Sequence, residues 1–366
     1  MLTSEQSPDR QERPPPEQAL SAPGIICTVS TILDTLENVS EFVARNQRAG
    51  VDHMFICLDG DTPDVADYLA SVAHVTTLRT DGTYWRGSRP PGLNSRQAIN
   101  ANLVCALLSP SKSVRWLFHL DGDECLDVDR ADLLAAPPHV PAVRLRVMES
   151  VSQPDSVHPC GLFKRPPTRE ELALLTVLGV IDRPRLAAYF RGHVAGKPGV
   201  RPTLDLQLRI HRVQDREGGY VDELRSPRLN VLHYDCWSPE EFLRKWSTHL
   251  AADSGKFIGR RALVRAAVAA ANTSRSLDDQ QRREVLMAVY RSAVADDVDT
   301  LSDLGLLVAP PEERHRHQPR DLPEGDADAI DRLLPRLAAA DKSFFRVRVG
   351  APNPRLLFRS MGMGQN

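Results

Sequence analysis

The stretch VRWLFHL, residues 114–120, runs directly into Asp121-Gly122-Asp123-Glu124. A mostly apolar run without polar alternation marks a strand buried on both faces, the hallmark of a parallel sheet covered by helices. Similar runs recur upstream at GIICTVS (24–30), VDHMFICLDG (51–60) and HVTTLRT (74–80). Between them, residues 38–50, 64–73 and 95–109 carry helical spacing, the first with Val39, Phe42 and Val43 on one face and Gly50 placed to end it. This alternation predicts an α/β chain with a mostly parallel sheet flanked by helices. Ligands of such sheets sit beyond the carboxyl ends of the strands. Asp59, Asp61, Asp121, Asp123 and Glu124 all fall at that edge, which points to a shared site.

VPAVRLRVMES (140–150) predicts one more strand. The periodicity weakens through a Pro-rich, basic segment and recovers at LDLQLRIHRV and RLNVLHYDCWS. From Pro239 to about Gly305 the chain is helical in character and opens on a capping box, Ser238 to Glu241. Residues 1–22, rich in Pro, Gln, Glu and Ser, are expected to form a flexible leader. The main domain is expected over 23–250 and a helical C-terminal extension over 251–366, with a polar linker near 309–328.

With 46 basic and 48 acidic residues the net charge is -2, so no overall basic field steers the chain onto nucleic acid. The six cysteines are scattered without a CxxC pair, as expected of reduced, buried thiols. No stretch reaches the length of uninterrupted apolar sequence that a transmembrane segment needs, and the N-terminus lacks an apolar signal core. The expectation is a soluble, cytoplasmic protein.

In an extended chain Asp121 and Asp123 point the same way. Three carboxylates in four residues repel one another, so a cation is expected among them, and removing Asp123 is expected to relieve repulsion. Such hard oxygen ligands suit Mn²⁺ or Mg²⁺ carrying substrate phosphates. A calcium loop would need a ligand at Cys125 and glycine at Leu126. A phosphotransfer aspartate signature would want Thr or Val at Cys125 and a place near the first strand. Downstream, GHVAGKPGVRP supplies His193, Lys197 and Arg201 in a glycine-punctuated loop suited to clamping phosphate.

The ordered set TVS, AGVDHMFICLDGDTPD (49–64), GLNSRQAINANLV (92–104) and WLFHLDGDECL (116–126) resembles the nucleotide-sugar-binding half of GT-A glycosyltransferases, particularly bacterial family-2-like enzymes. FRGHVAGKPGVRP (190–202) and LHYDCWSPEEFLRKW (232–246) are similar to later segments of that group. The resemblance implies a GT-A-like fold and a metal-dependent, inverting glycosyltransferase. Its donor would be a nucleoside-diphosphate sugar and its acceptor a glycan or other hydroxyl compound, in glycan or polysaccharide biosynthesis. Asp121 and Asp123 would be the DxD pair that holds the metal, and His233 would complete the shell. Asp59 would touch the base or ribose, and Arg96 would lie near the donor.

An inverting transferase also needs a base for the acceptor hydroxyl. Glu149 is one candidate, with Glu124 and Asp235 as others. Tyr84, Trp85 and Trp237 are candidates for stacking on a sugar face. His211 is a further possible ligand, while His119 reads as a core histidine with a hydrogen bond. The usual Asn-Glu after the first strand is missing here. Two other readings stand beside this one. A nucleotidyltransferase would carry a Gly-rich basic loop after the first strand, which TVSTILDTLEN lacks; a non-catalytic protein of the same shape would only bind nucleotide or glycan.

Overall fold

In the computed structural model the described residues are 24–156, 158–251, 259–350, 353–354 and 356–360. The leader expected over 1–22 lies outside them. The sheet-forming part contains β1 (Ile25–Ile32), α1 (Leu36–Arg48), β2 (His53–Leu58), α2 (Pro63–Ser71), β3 (Val75–Arg79), α3 (Leu93–Leu108), β4 (Val114–His119) and β5 (Glu124–Val128). It continues with β6 (Ala142–Ser150), β7 (Phe163–Lys164), β8 (Lys197–Val200) and β9 (Leu229–His233). The later helices are α4 (Pro239–Ala251), α5 (Gly259–Thr273), α6 (Asp279–Ala293) and α7 (Glu324–Ala339).

Strand order is β3-β2-β1-β4-β8-β6, with β1 to β4 parallel and β8 antiparallel to both of its neighbours. β1 is buried at every position because it lies in the middle of this order under helices on both faces. Its side chains alternate accordingly. Ile26 joins Phe42, Val43 and Leu69 of α1 and α2, while Ile25, Cys27 and Val29 join Leu103 and Leu107 of α3. The α/β, GT-A-like architecture expected from the sequence is therefore present, with a helical C-terminal part.

β6 changes partners halfway along. Residues 142–145 pair with β8, whereas 146–149 pair with β9, which in turn carries β5 on its far side in antiparallel register. The free edge of β5 is closed by a side chain. Asn46 of α1, fully buried, donates to the Glu124 carbonyl and accepts from the Leu126 N–H. A buried amide satisfied in this way fixes the strand that follows the acidic turn.

α4, α5 and α6 form a small apolar cluster of their own around Phe242, Trp246, Val268 and Tyr290. α7 does something different. Its Ile330, Leu333 and Leu337 pack in the same core as α3, so the end of the chain completes one face of the main sheet. This explains why α3 is buried around nearly its whole circumference. The 309–328 segment is also tied down: Arg314 and His315 reach Asp127, and the Arg320 N–H donates to Asp52. Within the segment where periodicity weakens, residues Arg169–Val177 form a helix started by a Thr168–Glu171 capping box. Among the described residues no helix is long and apolar enough to cross a membrane.

Candidate active site

The acidic run at the end of β4 is a turn rather than a continuation of the strand. The Glu124 N–H donates to the Asp121 carbonyl, and the Asp121 N–H donates to Glu124 Oε2. The turn sends Asp121 and Asp123 to different neighbours, which corrects the expectation that an extended backbone aims both one way. Each carboxylate meets its own cation. Lys197 of β8 lies 2.6 Å from Asp121 and 3.1 Å from Glu124, and Lys245 of α4 lies 2.7 Å from Asp123 and also bonds Asp235. The positive charge that the sequence calls for is thus supplied by the chain itself.

Electrostatics follow from these pairs. Burial opposes ionisation of Asp121, but Lys197 prevails and holds the carboxyl below its usual range. Burial likewise opposes ionisation of Asp123, and Lys245 with His233 overcomes it. His233 is buried, which disfavours its charge, yet Asp123 pulls its pKa up to about 10. Its Nε2 is 3.5 Å from Asp123, its Nδ1 is 3.8 Å from Glu149, and Nδ1 has no hydrogen-bond partner.

Glu149 sits at the floor of the site. Burial raises its pKa and Lys164 of β7 lowers it, with a net value of about 2. Its two oxygens accept from the Arg191 and Gly192 N–H groups, and Lys164 stands 2.9 Å away. Glu124 is equally committed: Oε1 pairs with His193 Nε2 at 2.6 Å, and Oε2 serves the Asp121 N–H and Lys197. The His193 ring in turn packs between His211 and His233, with centroids 4.8 and 4.9 Å away and the planes tilted by 42° and 41°. His211 donates its Nδ1–H to the Gly196 carbonyl.

At the end of β2, Asp59 is held by Arg96 of α3 at 2.6 Å and by Arg89 at 3.0 Å. Arg96 also donates to the Pro90 and Pro91 carbonyls, so the pair locks the loop entering α3. Beside it opens a pocket of about 530 Å³ lined by Asp59, Asp61, Thr62, Thr80, Asp81 and Arg89. The structure brings Asp121, Asp123, Glu124, Glu149, His193, Lys197 and His233 into one connected cluster, with Asp59 and Arg96 two strands away.

Arg201 is not part of that cluster. β8 runs antiparallel to β4, so Arg201 ends about 13 Å of strand away from Lys197, at the opposite edge of the sheet. There it donates to the carbonyls of Ala136, Pro137 and Val140 and lies over the Trp116 ring at 4.3 Å. Tyr84 and Trp85 are buried in the core beneath α3, and the Tyr84 hydroxyl donates to Asn100. His119 is buried as expected, but neither ring nitrogen has a hydrogen-bond partner.

Sequence reasoning missed Lys245 and Gln97. Gln97 donates to Asp121 Oδ1 at 2.7 Å from the first turns of α3. Its position next to Arg96 was the available signal. For Lys245 the signal was its place on an amphipathic helix shortly after His233 and Asp235.

Among the described residues, two groups of ligand atoms lie close enough to hold a divalent cation: Asp121, Glu124 and His193, and Asp123, His233 and Asp235, the atoms of each within 4.8 Å of one another. Carboxylates with imidazole are suitable donors for Mn²⁺ or Mg²⁺. The donor set fits such an ion. A lysine ammonium stands within each group.

No family model matches this chain, and no curated protein matches it. Three solved structures illustrate the distant likenesses found. A 4-diphosphocytidyl-2C-methyl-D-erythritol synthase from Anaerococcus prevotii is 13% identical with a TM-score of 0.25, over 49% of this chain and 72% of that one. HddC from Yersinia pseudotuberculosis is 9% identical with a TM-score of 0.31, over 60% and 97%. A mannose-1-phosphate geranyltransferase from Thermus thermophilus is 13% identical with a TM-score of 0.22, over 48% and 57%. None of these likenesses is close enough to assign this chain to a family.

Proposed function

We propose that the chain is a glycosyltransferase that moves a sugar from a nucleoside-diphosphate sugar to a hydroxyl acceptor. One observation carries the reading. The pocket beside Asp59 and the cation-balanced carboxylate centre at Asp121–Asp123 open at the same strand edge, two strands or about 10 Å apart, a span that a nucleoside diphosphate bridges. The nucleoside would lie in the pocket, with Arg89, half-exposed at its rim, as a donor toward ribose or phosphate.

Asp123, His233 and Asp235, rather than the Asp121–Asp123–His233 set expected from the sequence, would hold a divalent ion, which when bound would stabilise negative charge on the departing diphosphate. The chain contributes charge of its own at the same place. Lys197 and Lys245 are fixed ammonium groups beside the site, and Gln97 orients the Asp121 carboxylate. Glu124 and Glu149 accept backbone N–H groups with their oxygens and act as positioning residues for the turn and for the 191–192 loop. Asp121 and Asp123 are the most exposed members of the cluster, at 28% and 32% against 20% for His193, so they face an incoming substrate.

The nucleotidyltransferase alternative receives no support after β1. Only residues 33–35 separate β1 from α1; Thr35 caps the helix and Asp34 pairs with Arg244, leaving no basic phosphate loop. A thermal-shift panel of nucleoside diphosphates, each with and without Mn²⁺, tests the proposal. Stabilisation by one nucleoside diphosphate that Mn²⁺ enhances is expected. A panel in which no nucleotide raises the melting temperature under either condition sinks it.

A further inference from the structure

We propose that Lys245 is a resident counter-cation that a divalent metal ion must displace to enter the Asp123–His233–Asp235 group. Its ammonium bonds both Asp123 Oδ2 and Asp235 Oδ1, the same carboxylates that form the second ligand group with His233. An ammonium and a hard divalent ion seek the same oxygens, so one excludes the other from that position. The inference rests on the reading of this edge as a metal site and adds what controls its occupancy.

The two lysines of the site differ in freedom. Lys197 belongs to a strand paired on both sides, by β4 and β6, and its side chain is wholly buried. Lys245 comes from α4, outside the sheet, and its side chain is 19% exposed next to the partly exposed Asp123. A four-carbon stem with an open side can swing away, whereas one enclosed in a sheet cannot. Lys197 is therefore the permanent cation and Lys245 the exchangeable one. The arrangement keeps Asp123 and Asp235 compensated before any metal arrives. Arg261, 3.9 Å from Asp235, stays to share that charge when Lys245 leaves.

Mn²⁺ titrations of the full chain, followed by the electron-spin-resonance signal of the free ion, test this on wild type, Lys245→Met and the double variant Lys245→Met/Asp123→Asn. Lys245→Met is expected to bind Mn²⁺ about tenfold more tightly than wild type, and the double variant to lose that gain. Equal affinity in wild type and Lys245→Met overturns the inference while leaving the metal reading intact. Absence of Mn²⁺ uptake by both overturns the two together. Because loss of the ammonium can unfold the variant, a second measurement uses wild type alone: acetylation of Lys245 by acetic anhydride, read by peptide mass spectrometry with and without Mn²⁺. Displacement predicts a several-fold rise at Lys245 with none at Lys197. An unchanged or lower yield at Lys245 rejects the exchange.

Discussion

Gly196 adopts φ +70°, and a Cβ added there would stand 2.1 Å from the Leu145 carbonyl oxygen. Both obstacles are in the backbone, so no side-chain rotation relieves them. The residue turns the His193 loop into β8 one position before Lys197. Gly196→Ala is expected to cost at least about 1–3 kcal/mol, read as a lower urea midpoint with unchanged slope. An unchanged midpoint would mean that the loop re-routes freely. Read as a bare acidic run, the sequence suggests that removing Asp123 relieves repulsion, but the carboxylate is matched to Lys245 and His233. Asp123→Ala strips both cations of a partner, so melting curves in EDTA should shift down. An upward shift would restore the view that the carboxylates strain one another.

β8 shows how one short element divides two roles that look alike in sequence. Lys197 and Arg201 are four residues apart in one basic loop, yet the antiparallel strand carries them to opposite edges of the sheet. Lys197→Met leaves Asp121 and Glu124 without their cation and is expected to cost about 3–5 kcal/mol, with loss of nucleoside-diphosphate binding. Arg201→Ala should lower stability through the lost Trp116 stacking and carbonyl contacts but leave nucleotide affinity unchanged. Calorimetric titration with the nucleotide identified by thermal shift separates them; weaker binding by Arg201→Ala would return it to the donor site. The same element marks the limit of what sequence conveys. β1 to β4 were legible because long apolar runs alternate with amphipathic helices. The four residues of β8 carry no period, and its insertion between β4 and β6 depends on contacts distant in sequence. Lys245 was hidden for a related reason: the sequence indicates a helix over 239–251, but not which of its faces meets a turn more than a hundred residues earlier.

Across the whole molecule, tight packing leaves several histidines with little access to protons. α3 is covered by the sheet on one side and by α7 on the other, and comparable burial reaches into the strands. His53 of β2, hydrogen-bonded to Thr76 and packed on Phe55, has its pKa pushed down to about 4, chiefly by burial and then by His74. His119 of β4 is lowered to about 4 as well, by burial and then by Lys197. In the unfolded chain both return to about 6.5. Between those values the unfolded state takes up protons that the folded state refuses, so stability is retained above about pH 6.5 and declines as pH falls toward about 4. Glu149 belongs to a separate window. Its depressed carboxyl, near 2, contributes stability that is lost only as pH falls below the ordinary carboxylate range. Urea midpoints recorded at intervals from neutral pH down to about 4 should therefore slope before the carboxylates begin to titrate. His53→Gln retains an amide able to bond Thr76 but removes the proton site, so it should flatten part of that slope while leaving the lower limb in place. A variant whose pH profile runs parallel to wild type through this window would show that the His53 imidazole is free to protonate in the folded protein.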